Sequence, residues 1–148
     1  MKAARGSVVA MLAAMLAVLA PARIARAQPA SQLYLLNCWG CHRANGEGIP
    51  GTAPALTGAA DFLRVRGGRA YLIQVPGVSE SSLDDAQVAA VMNWILNSFG
   101  KNRLAAGVTP YDAAEIKKYR AERMLDVVGT RKALVAKIAA LKVRSPGE

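Results

Sequence analysis

The 148-residue sequence is poor in the side chains on which metal sites and many enzymes depend, since it has two cysteines and one histidine. A structural zinc ion takes four ligands, mostly from those two residue types, and three side chains cannot supply them. No Ser–His–Asp set can be assembled once the one imidazole has another task. Beyond residue 27 no apolar run is long enough to cross a membrane. These absences leave few places where this chain can do chemistry.

The two cysteines and the histidine all fall within five residues, Cys38-Trp39-Gly40-Cys41-His42. Two thiols three positions apart, with a histidine directly after the second, form the attachment signature of c-type haem. Within one helical turn both sulfurs reach the vinyl groups of a porphyrin, and the imidazole turns under the ring to the iron. The motif predicts one covalent haem c, attached through Cys38 and Cys41, with His42 as an iron ligand.

The same cysteine pair has other interpretations. A C-x-x-C pair is the redox centre of thiol oxidoreductases, but those sites lie in a βαβ context, and no strand-like run flanks Cys38. A zinc site or a plain disulfide would use the same two thiols, although the remaining zinc ligands are missing. Haem is therefore the favoured prediction, and a dithiol redox site and a zinc site are the alternatives.

Residues 1–27 have the composition of a secretory signal peptide. A positively charged start precedes an apolar stretch over 8–20, and Ala25-Arg26-Ala27 provides a small-x-small cleavage site. The apolar stretch is short for a bilayer, so a cleaved leader is favoured over an uncleaved membrane anchor. The sequence thus predicts export to the periplasm, haem attachment there, and a mature chain without a transmembrane span.

The formal net charge of +9 is unevenly distributed along the chain. Residues 1–27 carry four positive charges, residues 28–100 carry a net charge of −1, and residues 101–148 carry +6. The basic character therefore belongs to the leader and to a C-terminal extension. Because four of these charges leave with the leader, the total is no indication of nucleic-acid binding, and we expect no nucleic acid as a partner.

A short helix is predicted from Pro29 to Asn37, with Leu33 and Leu36 on one face, and it leads into the haem motif. After the motif the chain is rich in glycine and proline as far as Gly58, a composition typical of a loop. We expect this loop to wrap the haem edge.

Within this loop, Pro54-Ala55-Leu56-Thr57-Gly58 resembles the Pro-x-Leu-x-Gly stretch of the small class I, mono-haem cytochromes c, at that family's distance from the histidine. The resemblance runs from about Gln32 to Phe99. It implies that the Pro54 carbonyl accepts a hydrogen bond from the second ring nitrogen of His42, and that Leu56 packs on the haem.

Three further helices are predicted before residue 100. Two brief ones, at 61–66 and 69–75, are separated by a pair of glycines, and the third begins with a capping box between Asp84 and Gln87 and closes at Gly100. Trp94 lies where class I cytochromes c carry an aromatic that packs this helix against the first. Three arginines near the brief helices could reach haem propionates or form a solvated face, namely Arg64, Arg66 and Arg69.

The sequence departs from this family in the loop before the third of these helices. Electron-transfer cytochromes c usually supply a methionine sulfur there as the sixth iron ligand, and this chain has Val75-Pro76-Gly77. A thioether ligand raises the potential, whereas an open position admits external ligands. A second histidine ligand is excluded because the chain has one histidine. The candidates left are Met92, Met124, an amide of Asn93 or Asn97, Lys101, and an open or water-bound iron.

The C-terminal segment is predicted to form two amphipathic helices after a linker. Asp112 and Glu115 make a capping box for the first, which runs to about Met124, and Thr130 caps the second. These helices could dock an acidic redox partner, lie on a membrane surface, or pack against the haem domain with their charges in solvent. The apolar stripe is Ile116, Tyr119, Leu134, Ile138 and Leu141, and the cations are Lys117, Lys118, Arg120, Arg123, Arg131, Lys132 and Lys137.

Together these features predict an all-α protein, with a small cytochrome c-like haem domain at 28–100 and two C-terminal helices in a basic extension at 101–148. We expect a periplasmic single-electron carrier that works between a dehydrogenase and an oxidase or another carrier, without enzyme activity. The alternatives are a haem-based ligand binder, sensor or weak peroxidase with an open sixth position, and a haem subunit of an oxidoreductase complex.

Overall fold

The computed structural model describes residues 27–100 and 103–144, so the predicted leader, apart from its last residue, and Lys101 lie outside the described residues. In those ranges the regular elements are helices and one 3₁₀ turn, Leu56–Gly58, and the all-α prediction is confirmed. None of the described helices is both long and apolar enough for a membrane span. The helices are α1 (Ala30–Asn37), α2 (Trp39–His42), α3 (Ala59–Phe62), α4 (Gly68–Gln74), α5 (Pro76–Ser79), α6 (Asp85–Phe99), α7 (Ala113–Arg120) and α8 (Val127–Arg144).

Helices α1 and α6 pack against each other through three aromatic side chains. The centroid of the Tyr34 ring lies 5.0 Å from that of Trp94 and 5.3 Å from that of Phe99. Trp94 and Phe99 meet edge to face at 5.4 Å, an arrangement that sets the positive edge of one ring on the negative face of the other. The predicted packing of Trp94 against the first helix is confirmed.

The predicted apolar face of α1 is half correct. Leu33 is buried, but Leu36 is 68% exposed, and Tyr34 takes the second buried position. The reason is that Tyr34 and Cys38, which are four residues apart, lie on the face of α1 that α6 covers. Leu36 is midway between them in sequence and therefore points to the opposite face.

Helix α6 lies at the centre of the core, in contact with both α1 and α7. Its predicted capping box is confirmed: Asp84 accepts a hydrogen bond from the Gln87 N–H at 2.8 Å, and the Gln87 side chain accepts one from the Asp84 N–H at 3.0 Å. Gly100 ends the helix as predicted. Its buried residues are Val88, Ala89, Val91, Met92, Ile95 and Leu96.

The two brief helices predicted at 61–66 and 69–75 are partly correct. α3 ends at Phe62, because the next three N–H groups bond to carbonyls three residues back and tighten the chain into turns. α4 begins at Gly68, where any side chain would collide with the Phe62 carbonyl. The sequence does not predict α5, although Pro76 in its first turn is a favourable start, since the missing N–H has no helical partner there.

The first tail helix begins where predicted and ends earlier. Asp112 caps α7 by accepting a hydrogen bond from the Glu115 N–H at 2.8 Å. The predicted capping box is wrong, because the Glu115 carboxylate pairs with Arg69 of α4 instead of turning back to the cap. α7 ends at Arg120, one turn before Met124.

The second tail helix begins before the predicted cap. α8 starts at Val127, and Asp126 accepts a hydrogen bond from the Gly129 N–H at 2.8 Å. A Cβ at position 129 would collide with that carboxylate, so a side chain there would displace Asp126 from this cap. Thr130 therefore lies inside the helix, and the prediction that it caps the helix is wrong.

Both tail helices share a core with residues 28–100. Tyr111 and Ile116 are buried in the main cluster beside α1, α4 and α6, while Leu134 and Ile138 form a second cluster with Phe62 and Tyr71. Most of the apolar stripe of the tail is thus covered by residues 28–100. Of the interpretations left open by the sequence, the structure shows packing against the rest of the chain, and the covered residues of the stripe are not free to bind a partner.

Charge joins the two regions as well. Within residues 27–100 and 103–144 there are four ion pairs, and each has one member in the tail and one in residues 28–100. Asp61, which is buried, takes part in two of them. The positive tail is therefore partly neutralised by acidic groups of residues 28–100. The pairs are Arg69–Glu115, Arg103–Asp61, Arg120–Asp85 and Lys142–Asp61.

Candidate haem site

The Cys-x-x-Cys-His motif lies at the junction of α1 and α2. Cys38 interrupts the helix with a φ of −123°, and the chain resumes as one turn, closed by a 2.9 Å hydrogen bond from the His42 N–H to the Cys38 carbonyl. Both cysteines are free thiols. Cys38 is half-buried against the main core and Cys41 is exposed. The two thiols and the imidazole therefore lie on one turn, with one thiol toward the core and the other in solvent.

The imidazole of His42 is oriented by the loop that follows it. Its Nδ1 lies 3.0 Å from the Pro54 carbonyl oxygen, the partner that the resemblance implies. A protonated Nδ1 donates to that oxygen and leaves the Nε2 lone pair for a metal ion. Burial lowers the pKa of His42, while the hydrogen bond to Pro54 opposes the shift, so the neutral ring is favoured at neutral pH.

The glycine-rich loop after His42 is folded by backbone hydrogen bonds and by a close approach to α6. The Gly48 N–H donates to the His42 carbonyl at 3.2 Å, and the Leu56 N–H donates to the Gly46 carbonyl at 2.7 Å. Gly46 has a φ of +68°, and a Cβ at this position would lie 2.9 Å from the Phe99 ring. Both the backbone conformation and the space require glycine here, and the result is a loop that brings Pro54 to the histidine.

Directly after the histidine, Arg43 adopts a backbone conformation that is costly for any residue except glycine. Its φ of 60° and ψ of 170° lie in a region that other residues rarely occupy. The Tyr34 hydroxyl donates a hydrogen bond to the Arg43 carbonyl at 2.5 Å, and the Arg43 N–H donates to the Trp39 carbonyl at 2.8 Å. The aromatic cluster between α1 and α6 thus holds the strained turn that directs His42.

The geometry also bears on the alternative uses of the two cysteines. Burial raises the pKa of the Cys38 thiol, whereas a dithiol redox centre works through a thiolate of lowered pKa. No group of three or more His, Cys, Asp or Glu side chains in the described ranges could hold a metal ion. Both observations favour thioether attachment of haem over a dithiol redox centre or a zinc site.

The side chains considered as sixth iron ligands have other contacts. Met92 is 4% exposed within the main core, and Met124 packs against the second cluster. Asn93 pairs with the backbone of Tyr111: its Nδ2 donates to the carbonyl at 2.9 Å, and its Oδ1 accepts from the N–H at 2.8 Å. Asn97, one turn later on the same face, donates to the Asn93 carbonyl at 2.7 Å. These contacts favour none of the four as an iron ligand.

The three arginines considered for haem propionates lie near the tail. Arg69 forms a two-point ion pair with Glu115, with N–O distances of 2.5 and 2.6 Å, and donates to the Thr109 carbonyl at 2.9 Å. Arg64 and Arg66 are exposed and line an open groove beside α8. The guanidinium of Arg69 is thus bonded to the tail. Arg64 and Arg66, which are exposed, are the two arginines left as candidates for the propionates.

Comparisons with known proteins identify the family of this chain. The family model described as Cytochrome c matches residues 27–73, from just before α1 into α4. One cytochrome c-552 of Thermus thermophilus is 36% identical over 132 residues, which cover 75% of this chain and 89% of the relative. The chain belongs to the cytochrome c family. Another cytochrome c-552 of Thermus thermophilus is 37% identical over 118 residues, covering 66% of this chain and 90% of that relative.

As a class I, mono-haem cytochrome c, the protein has covalently bound haem c with iron as its cofactor. The residues present fit this group, because both cysteines are free thiols and the hydrogen bond of the His42 ring to Pro54 is made by Nδ1, not by Nε2. The family model stops matching at residue 73, just before Val75-Pro76-Gly77, where the sequence lacks the family's methionine.

Three structural features are missed by sequence reasoning. The hydrogen bond of the Tyr34 hydroxyl and the strained backbone of Arg43 depend on the fold, and no sequence pattern marks either. The sequence places Arg120 in a row of surface cations, because a helical pattern gives the face of a residue but not its partner. The guanidinium of Arg120 instead bonds to the chain just before α6.

Proposed function

We propose that this cytochrome c is a periplasmic single-electron carrier whose haem is attached through Cys38 and Cys41 and ligated by His42. The observation that carries the proposal is the 3.0 Å approach of the His42 Nδ1 to the Pro54 carbonyl oxygen, directly after two free thiols on the same turn. Such a hydrogen bond fixes the tautomer and the orientation of a ligating imidazole.

Each side chain of the motif has one task. The thiols of Cys38 and Cys41 would each hold the haem as a thioether to one vinyl group, with the thiol hydrogen taken up by the other vinyl carbon. The Nε2 of His42 would be the iron ligand, while the Nδ1 proton stays in the hydrogen bond to Pro54. When bound, the haem iron supplies one-electron exchange between its ferric and ferrous states. No acid–base residue is needed, in keeping with a sequence that has one histidine.

The first test is covalent haem attachment in chain matured in a periplasm with a c-type cytochrome assembly system. We expect the wild-type haem to stay with the polypeptide after acid–acetone extraction, and the double variant Cys38→Ala/Cys41→Ala to lose it. Pro54→Ala is the matched control, because it keeps the backbone carbonyl that His42 uses. Extractable haem in the wild-type protein, or a redox titration that does not fit one electron, would contradict the proposal.

Location and partners form the finer part of the proposal. The signal-like composition of residues 1–27 supports export, and cell fractionation of the full chain tests it: haem protein that stays in the cytoplasm would argue against it. We propose that residues 28–100 form the haem domain and that residues 101–148 form an extension that supports it. Four exposed lysines of the tail belong to none of the four ion pairs and would steer an acidic redox protein, namely Lys117, Lys118, Lys132 and Lys137.

A second candidate function is the binding of small ligands at an open sixth position of the iron. The observation that favours it is that Met92 and Met124 pack in the two apolar clusters, while residues 75–84, between α4 and α6, contain no methionine. An open position admits exogenous ligands and lowers the reduction potential relative to a thioether-ligated iron.

Absorption spectra of the oxidised and reduced protein, with and without carbon monoxide, separate the two candidates. A high-spin spectrum that shifts with carbon monoxide favours ligand binding, and a low-spin spectrum that ignores it favours the carrier. Met92→Leu and Met124→Leu are the paired variants. If either removes a long-wavelength band of ferric methionine ligation, that methionine is the ligand and the second candidate fails.

A further inference from the structure

The guanidinium of Arg120, at the end of α7, bonds to three alternate carbonyls of the chain that runs from the end of α5 to α6. Its Nε donates to the Ser79 carbonyl at 3.1 Å, its Nη2 to the Ser81 carbonyl at 2.8 Å, and its Nη1 to the Leu83 carbonyl at 2.9 Å. Nη1 also lies 2.9 Å from a carboxylate oxygen of Asp85. The side chain is 20% exposed. One planar fork with five donors can reach all four acceptors, and the ammonium group of lysine cannot.

These contacts matter because the segment 79–85 has little else to hold its carbonyls. No backbone N–H in the described part of the chain donates to the carbonyl of Ser79, Ser81 or Leu83. A partly buried carbonyl that loses its partner must be rehydrated or left unpaired, and either change favours opening of the segment. The position of 79–85 therefore depends on a side chain from the tail.

This segment joins α5 to α6 and is the loop before the last helix of the haem domain. Members of the family anchor that loop to the haem through the axial methionine, and here the segment 75–84 contains no methionine, histidine, lysine or cysteine. Val78, just before segment 79–85, and Leu83, within it, pack against the same core cluster as Cys38. The loop and the attachment turn therefore adjoin one core. With no methionine–iron bond available, another anchor has to hold the loop.

We propose that Arg120 is the positioning residue that holds segment 79–85, the loop from which the family's methionine is missing, and that the segment held in this way would limit access to the haem iron. The inference rests on the proposed function, because it takes the haem to be attached at Cys38 and Cys41 and ligated by His42. It assigns the tail a role in the site, since α7 would control through this segment how readily an external molecule reaches the iron.

The simpler explanation is that Arg120 only fastens the tail to the haem domain. Glu115 provides the matched control for that explanation. It lies on the same helix, pairs with Arg69 of α4 across the same boundary, and makes no hydrogen bond to residues 75–85. If fastening the tail is all that matters, Glu115→Gln and Arg120→Gln must change the haem in the same way.

The experiment uses the matured full chain as wild type, Arg120→Gln, Arg120→Lys and Glu115→Gln. Each protein is reduced and mixed rapidly with carbon monoxide, and the association rate, the midpoint potential and the urea unfolding midpoint are measured. We expect Arg120→Gln to bind carbon monoxide about tenfold faster than wild type, because a segment that loses its carbonyl partners opens more often. Arg120→Lys should resemble Arg120→Gln, since a single ammonium group cannot donate to the three carbonyls that the guanidinium reaches. Glu115→Gln should stay within about twofold of wild type while it loses unfolding stability.

Equal changes in Arg120→Gln and Glu115→Gln, or no change in either, would overturn the proposal. Should the wild-type iron not bind carbon monoxide at all, the same logic holds: Arg120→Gln must acquire binding or a shifted spectrum, and Glu115→Gln must not. Failure of the proposed function is seen separately, because a wild-type protein without covalent haem fails before any ligand is added.

Discussion

The turn that carries the haem motif and the tail that packs behind it are held by different kinds of interaction. Around the motif, the cross-connections end on backbone carbonyls, such as that of Pro54 for His42 and that of Arg43 for Tyr34. All four ion pairs of the described residues lie at the boundary with the tail instead. Hydrogen bonds to neutral backbone carbonyls are screened by salt less than ion pairs are. When salt weakens the ion pairs, the geometry of the motif turn should therefore change less than the tail boundary and segment 79–85.

The largest expected effect comes from the apolar side of the tail. Ile116 is 0% exposed in the main core, so Ile116→Ala should lower the free energy of unfolding by about 3 kcal/mol, from lost burial and the cavity left behind. Val128→Ala, at a residue that is 80% exposed on α8, should change it by less than about 0.5 kcal/mol. Urea unfolding of the holoprotein measures both, and similar losses in the two variants would mean that the tail does not share the core.

The next effect tests the backbone contacts of the site. Tyr34→Phe removes the hydroxyl that bonds to the Arg43 carbonyl and should cost about 1 kcal/mol of unfolding free energy. Tyr71→Phe is the matched control, since Tyr71 is also buried and its hydroxyl has no hydrogen bond within the described residues. The same unfolding experiment distinguishes them. Equal effects would show that the Tyr34 hydroxyl contributes nothing specific to the turn.

A smaller effect of opposite sign is expected at the strained residue. Arg43→Gly should stabilise the holoprotein, by about 0.5–1 kcal/mol, because glycine adopts a φ of 60° without the steric cost and this outweighs its extra chain entropy. Arg43→Ala keeps the strain and should show no gain. If alanine stabilises as much as glycine, the arginine side chain and not its backbone is the source of the cost.

The motif, the all-α class and the capping box of α6 could be predicted because each depends on residues close together in sequence. Asp84 and Gln87 are three positions apart, and both bonds of the box form within that turn. The expected Pro54 contact came from a family pattern and agrees with the structure for the same reason, since the loop that carries it is short and rich in turn residues.

Several of the contacts that sequence reasoning missed join distant parts of the chain. A helical pattern places Glu115 beside its cap, yet the nearby Arg69 guanidinium is a stronger partner than a backbone N–H, and the carboxylate goes there. Leu36 shows the same limit, because periodicity cannot tell how much of a short helix its neighbour will cover. Tertiary partners decide such cases, and the tail provides most of them.

The smallest expected effect concerns pH at the tail boundary. The hydrogen-bonded Arg69 guanidinium lowers the pKa of Glu115, so this carboxyl contributes stability above its ordinary pKa and loses it as the pH falls through the lower, folded value. The loss should be at most about 1 kcal/mol, because the pair is partly exposed. Urea unfolding at pH 7 and at acid pH should therefore show a steeper decline for wild type than for Glu115→Gln, while the haem spectra of both stay the same. Parallel declines would show that the Glu115–Arg69 pair contributes nothing to the loss of stability in acid.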